Sequence, residues 1–326
     1  TMTYLENSKQ YTGSDLENIF FRPMLTGESA QDLGVRVLYN MPQPTHVQLW
    51  DGQRNILQKF TSAGWAGGKA ATKYEKTVNL NRVKAELGFS AANYFSMVYE
   101  KVSSLVNTHM DDLSGTELEQ AETALFKQAL AENIRVTMWI GDTSAASGYN
   151  TFDGLLKRIN GLVDDDGVYN FSYQAAALED PAYVVELFDK LWAGADPRIP
   201  GLKADDRLAY FVSSDIYRLY EKYLDAKGAD AAYADAMNGR RTLAYHGIPV
   251  VDVRLGSYLG ATSFRQSFVM LTDRRNLVLA VNTADMPGNE VRMWYNPDEM
   301  ENRQRAVFMA GTQILDEALI SFAYKQ

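Results

Sequence analysis

The sequence contains no cysteine. That excludes disulfides, thiolate metal sites and cysteine nucleophiles, and it fits a reducing compartment. Histidine is scarce as well: His46, His109 and His246 are the only three, and none stands at metal-pair spacing from another or beside a nucleophile in a recognisable motif. No apolar run approaches the roughly 18 residues that a membrane-spanning helix needs. No charged-then-apolar segment opens the chain, so neither a membrane partner nor a secretory leader is expected. Excess positive charge is also missing: 41 acidic against 32 basic residues leave a net −9. A surface devoted to nucleic acid is normally basic. Internal repeats and low-complexity tracts are absent.

The motifs that carry chemistry fail on their spacing. A phosphate-binding loop needs glycine five residues before its Gly-Lys pair and Ser or Thr after the lysine; around Gly68-Lys69 those positions hold Ala63 and Ala70. Asp164-Asp165-Asp166-Gly167 would open a calcium loop only with glycine at its sixth position and glutamate at its twelfth. Those positions hold Tyr169 and Ala175, and the stretch reads as a solvated acidic turn. Neither a Gly-x-Ser-x-Gly elbow nor a Gly-x-Gly-x-x-Gly turn occurs. Asp205-Asp206 and Asp316-Glu317 are carboxylate pairs of the kind any acidic chain contains. No catalytic residue, cofactor or metal ligand is assigned, and the chain is not expected to be an enzyme.

What is present is a globular composition, 46% hydrophobic and 12% aromatic over 326 residues. That is enough for one large domain or two ordinary ones. Within it, residues 46–90 form a basic island. Seven Lys/Arg (Arg54, Lys59, Lys69, Lys73, Lys76, Arg82, Lys84) against three acids make it +4, which leaves −13 for the rest of the −9 chain. The stretch reads as a long hairpin ribbon. Two turn positions compete: Asp51-Gly52, a strong tight-turn dipeptide, and the glycine-rich Gly64–Gly68, which the number of glycines favours. Alternation slips phase at Arg82, which predicts a bulge. A two-stranded ribbon is marginal alone in water, and the acidic surface of a neighbouring copy is the simplest support. Lys59, Trp65, Lys69, Lys73, Lys76, Arg82 and Lys84 are therefore the candidate inter-subunit contacts. Stacking of Trp65 and Tyr74 on nucleic-acid bases is the competing use of the same residues.

Residues 1–45 read as an extended arm whose clusters Ile19-Phe20-Phe21 and Val35–Tyr39 dock it. A long helix is predicted over 116–140, with Ser114 and Glu117 at capping-box spacing. Leu118, Ala121, Leu125 and Ala129 lie on one face, Ile134, Val136 and Ile140 continue it, and Gly141 stops it. Helices and strands then alternate over 151–283. Asp180-Pro181 starts a helix carrying Val184, Leu187, Phe188, Leu191 and Trp192. Leu208–Val212 is a strand, and Ser213 or Ser214 caps a second helix carrying Ile216, Leu219, Tyr220, Tyr223 and Leu224. Ile248–Val251 is a strand, and Phe268–Leu271 with Leu277–Val281 reads as a hairpin around Asp273–Asn276. The tail is strand-rich over 292–295, 306–310 and 318–324.

This order of parts resembles the tailed-bacteriophage major capsid proteins with the Hong Kong ninety-seven type fold. Lys76–Leu87 with Phe89-Ser90 resembles the return strand of their extended loop. Gly141-Asp142 followed by Phe152–Leu156 resembles the passage from spine helix to axial domain. Gly247–Val251 resembles that domain's Gly-x-Pro strand, and Asn296-Pro297 through Arg305 with Asp316–Phe322 resembles the returning peripheral strands. The resemblance implies an α+β fold with an N-terminal arm (1–45), an extended loop (46–90), a peripheral domain with spine helix 116–140 (91–151), an axial α/β domain (152–283) and peripheral return strands (284–326). It implies hexamers and pentamers of this chain in an icosahedral shell around double-stranded DNA, held without sequence specificity. It also implies portal, scaffold and head-completion partners, and assembly in the host bacterial cytoplasm. An encapsulin-like compartment is the alternative on the same fold. A soluble acidic enzyme and a nucleic-acid-binding module are the alternatives of another class.

Overall fold

The computed structural model describes residues 9–21, 35–39, 45–50, 73–90, 117–227, 233–234, 242–258, 264–282, 289–299 and 301–326. In chain order their strands are β1 (Lys9–Tyr11), β2 (Arg36–Tyr39), β3 (Thr45–Trp50), β4 (Lys73–Val78), β5 (Asn81–Ser90), β6 (Tyr169–Tyr173), β7 (Leu208–Val212), β8 (Tyr233–Ala234), β9 (Thr242–Tyr245), β10 (Ile248–Asp252), β11 (Phe268–Asp273), β12 (Leu277–Asn282), β13 (Glu290–Asn296), β14 (Glu301–Ile314) and β15 (Ser321–Lys325). Among the described strands β3 and β4 pair with each other alone. One sheet runs β6-β15-β11-β7-β10-β9-β8. The other is built on the long strand β14, which has β5 along one side and β13 followed by β12 along the other. β1 then joins β13, and β2 joins β12.

Helices cover the two faces. On one face the long helix Glu117–Ile140 and the helix Leu155–Asp164 press Phe126, Leu130, Trp139, Leu155 and Ile159 onto Phe211, Phe268, Leu279, Phe308 and Phe322. The Trp139 ring centroid lies 5.7 Å from Phe211 and 6.4 Å from Phe268. On the other face, helices Tyr183–Ala193 and Ser214–Ala226 bury the predicted Val184, Leu187, Phe188, Leu191, Ile216, Leu219, Tyr220 and Leu224. β7, β11 and β12 are buried at every position. That is why they read as continuous apolar runs rather than alternating ones.

The long helix spans 24 residues, about 36 Å at 1.5 Å per residue, and its first half lies over the β14 sheet while its last turns reach the other. Its fully buried row is Phe126, Leu130 and Ile134. Leu125 and Ala129, on the predicted face, are only partly buried. From Ile134 to Ile140 every residue is buried, because the helix is covered on all sides there and an amphipathic stripe no longer describes it. Leu118, Ala121 and the Ser114 cap lie outside the side chains described.

Phe268–Leu271 and Leu277–Val281 are not a hairpin. β11 belongs to one sheet and β12 to the other. Between them Asp273 caps a short 3-10 turn, accepting from the Arg275 amide at 2.8 Å. The chain crosses back after β14, and the two crossings are fastened together. The fully buried Asn276 donates to the Asp316 carbonyl and accepts from the Asp316 amide, each at 2.7 Å. Arg198 reaches the Asp316 carboxylate at 2.7 Å. The strand predicted at 318–324 consequently begins later, at Ser321, after a turn over Glu317–Leu319.

The N-terminal arm docks by strand addition: β1 runs antiparallel to β13 and β2 parallel to β12, with Val35 buried. Ile19 is 48% exposed and does not serve as an anchor. His246 and Gly247 have φ of 48° and 80° and form the turn that joins β9 to β10, the paired positive values that a two-residue hairpin turn uses.

The loop after the long helix is held by Lys157, whose ammonium lies 2.7 Å from both Asp142 and Asp153. The hydrogen bond from Lys157, and next that from Ser144, hold the Asp142 carboxyl at about 2, below its ordinary 3.8. A carboxyl depressed on folding contributes stability above its unfolded pKa, and that stability is lost as pH falls through the folded value. The Lys157→Met variant is expected to lose stability near neutral pH and to show a shallower decline in melting temperature between about pH 4 and 2. Parallel acid limbs for the two proteins would contradict this.

Candidate functional site

The ribbon is fixed to the body at its root. β3 and β4 pair from Thr45↔Val78 outward to Trp50↔Lys73. Trp50 faces Lys73 at the outer end of this pairing, and both candidate turns, Asp51-Gly52 and Gly64–Gly68, lie outside the described residues. The turn lies between residues 51 and 72, outside the described residues, as do Lys59, Trp65 and Lys69. The phase slip predicted as a bulge is a change of partner: β4 pairs with β3, Asn79-Leu80 lie between the two strands, and β5 pairs with β14 from Asn81↔Ala310 to Ser90↔Glu301. Val47, Val78 and Leu80 sink into the apolar layer of Val278 and Ala280, while Val83 enters the opposite layer beside Phe126 and Phe308. The burial pattern changes sides because the chain changes sheets.

Polar contacts complete the root. Gln313 donates to the Thr77 carbonyl at 2.8 Å, and Asn81 donates to the Thr151 carbonyl at 3.2 Å. Lys76 pairs with Glu317 of the same chain. Their side chains are 33% and 40% exposed, so the pair is worth no more than about 1 kcal/mol. Lys76 is thus engaged at the root, and Lys73 stands at the outer end of β4. Arg82 and Lys84 point outward from β5 and are exposed, with Lys84 2.9 Å from Glu86. Beside them on β14, Arg305 donates to Glu290 at 2.7 Å and stands over Trp294, and Arg303 pairs with Glu299. The outer sheet face therefore carries paired charge, within β5, within the β13–β14 hairpin and between its strands, and the basic residues of 73–90 are divided between that face and the root. Glu317, Gly311 and Gln313 escaped the sequence reading. Glu317 showed only as half of an unremarkable carboxylate pair, and the other two gave no signal.

Between β5 and the long helix lies an open cleft of about 500 Å³, lined by Val83, Leu87, Phe126, Leu130, Phe152 and Phe308. Among the described residues Lys84 and Glu86 are its only charged lining. Among the described residues no three His, Cys, Asp or Glu side chains gather as metal ligands, and no helix is long and apolar enough to cross a membrane. The arrangement offers packing surface, strand edges and paired charge.

No family model matches the sequence, and no curated protein matches it. Solved structures do match. A chain of the satellite phage P4 procapsid that includes the size determination protein aligns with TM-score 0.60 at 10% identity, covering 95% of this chain and 91% of that one. A chain of Gordonia phage Cozz aligns with TM-score 0.50 at 12% identity, covering 91% and 86%. A chain from the capsid of Myoviridae phage XM1 gives 0.49 at 10% identity over 100% and 95%. The procapsid match covers nearly the whole chain, at an identity so low that the likeness is one of fold. The chain therefore has the α+β phage capsid fold of the Hong Kong ninety-seven type.

Proposed function

We propose that this chain is the major capsid protein of a tailed bacteriophage, a structural and non-enzymatic subunit that assembles into hexamers and pentamers of an icosahedral head. The observation that carries the reading is the alignment to the P4 procapsid chain over 95% of the sequence. In this reading the chain divides into arm 1–45, extended loop 46–90, peripheral parts 91–151 and 284–326, and axial domain 152–283. The loop reaches over the next subunit, and Lys59, Trp65, Lys69, Lys73, Arg82 and Lys84 meet its acidic surface, with Lys76 steadying the root. Exposed ion pairs are individually weak, so the shell depends on repetition. Its contacts are heterologous, and ring closure ends growth. Portal, scaffold and head-completion proteins and packaged double-stranded DNA are the remaining partners, with assembly in the host cytoplasm and residence in the virion shell. Negative-stain microscopy of the chain co-expressed with its scaffold and portal tests this. Rings or shells are expected, and a homogeneous monomer under those conditions would overturn it.

A further inference from the structure

We infer that Gly311 and Gln313, on the outer face of β14, set the direction in which the ribbon leaves the body. Along β14 the residues Ala306, Phe308, Ala310 and Ile314 enter the layer under the long helix, whereas Met309 and Leu315 enter the opposite one. Gly311 and Gln313 share the outer face by alternation. Asn79-Leu80, the link between β4 and β5, cross over this spot. A β-carbon on Gly311 would collide with the Asn79 carbonyl oxygen, and would lie 3.2 Å from its carbon and 3.4 Å from Leu80 Cδ2. The obstruction is mostly backbone, so a rotamer change cannot relieve it. Two residues along, Gln313 holds the Thr77 carbonyl at 2.8 Å.

The crossing is therefore pressed down at Gly311, tied at Gln313, and seated by Val78 (fully buried) and Leu80 (2% exposed). Chain continuity ties it again at Asn81, which pairs with Ala310. A segment held at that many points leaves at one angle. From Thr45↔Val78 to Trp50↔Lys73 the ribbon runs five residue steps, about 17 Å at ~3.4 Å per residue, so each ~10° of tilt at the root moves its outer end by about 3 Å. Preorganised direction lowers the ordering cost of each contact the ribbon makes. This last consequence rests on the reading of the ribbon as a clasp between subunits; the fixed angle does not.

The absence of cysteine makes the angle measurable in the monomer. Spin labels at Lys73→Cys, on the ribbon, and Glu186→Cys, on the exposed face of the 183–193 helix, report one distance. Gly311→Ala is expected to shift its mode by about 3 Å or more. Gly201→Ala, where an added β-carbon meets nothing within 4 Å, is expected to leave it unchanged. An unchanged distance in folded Gly311→Ala would overturn the inference, whatever the unmodified chain assembles into. If Gly311→Ala does not fold, Gln313→Ala decides, since it removes volume and one hydrogen bond. A broadened distribution supports the inference, and an unaltered one overturns it.

Discussion

A chain lacking Lys59–Lys73 is expected to keep its fold and lose shell assembly altogether. The fold survives because every core side chain identified lies outside the deletion. The layer under the long helix draws on 126–163 and on the β-sheets, and the root is seated by Val47, Val78 and Leu80. Among the described residues the long helices are 117–140, 155–164, 183–193 and 214–226, none of which the deletion touches. On the proposed reading assembly fails because the deletion removes Lys59, Trp65, Lys69 and Lys73, four of the candidate contacts to a neighbouring copy. Contacts that are weak singly, when lost from every copy at once, leave nothing to close a ring. Circular dichroism and a thermal melt would show a near-native monomer, sedimentation velocity would show no ring or shell, and microscopy no particles. Shells of normal size from the shortened chain would remove the clasp from the account of this protein.

Legibility of the sequence followed local chemistry. The helices at 183–193 and 214–226 were legible because each buries one stripe against one sheet, so that period 3.6 survives in the residues. The strand at 208–212 was legible from its apolar run. The link from β11 to β12 was not. Asp273-Arg274-Arg275-Asn276 has a turn composition whether the flanking strands pair with each other or part into two sheets. What separates them is Asn276 meeting Asp316, forty residues away. The slip at Arg82 was a true signal wrongly assigned: alternation cannot distinguish a bulge from a strand that changes partner. The face of the long helix was misplaced by one position, since apolar residues continue all round its buried end. At the ribbon root, net charge drew attention to the lysines, while the position of the ribbon is set by an uncharged pair, Gly311 and Gln313, whose roles appear only when Asn79 and Thr77 are brought over them.

The second large effect is expected at Arg135, where the long helix is fastened to the chain beyond β10. Its side chain is 4% exposed. It donates to the Val253 carbonyl at 2.7 Å, the Arg254 carbonyl at 3.2 Å and the Glu132 carboxylate at 2.6 Å. Arg254 has φ of 53°, an uncommon value for a residue with a side chain, and the bond to its carbonyl helps to hold it there. Glu132 also accepts from Tyr258 at 2.9 Å, and its carboxyl is held below the usual range chiefly by the Arg135 hydrogen bond. The ion pair is the smaller part of this joint, because the Glu132 side chain is 42% exposed and water screens it. The larger part is the guanidinium satisfying two carbonyls where solvent has little access. Arg135→Met is therefore expected to cost about 3 kcal/mol, read in urea denaturation, and to lower the melting temperature by roughly 4 °C. Glu132→Gln is expected to cost less than about 1 kcal/mol. Amides of 253–258 should exchange faster in Arg135→Met than those of β7 or β11, since the fork's acceptors are in that loop. Equal costs for the two variants, or unaltered exchange at 253–258, would place the stabilisation in the ion pair instead of the carbonyls.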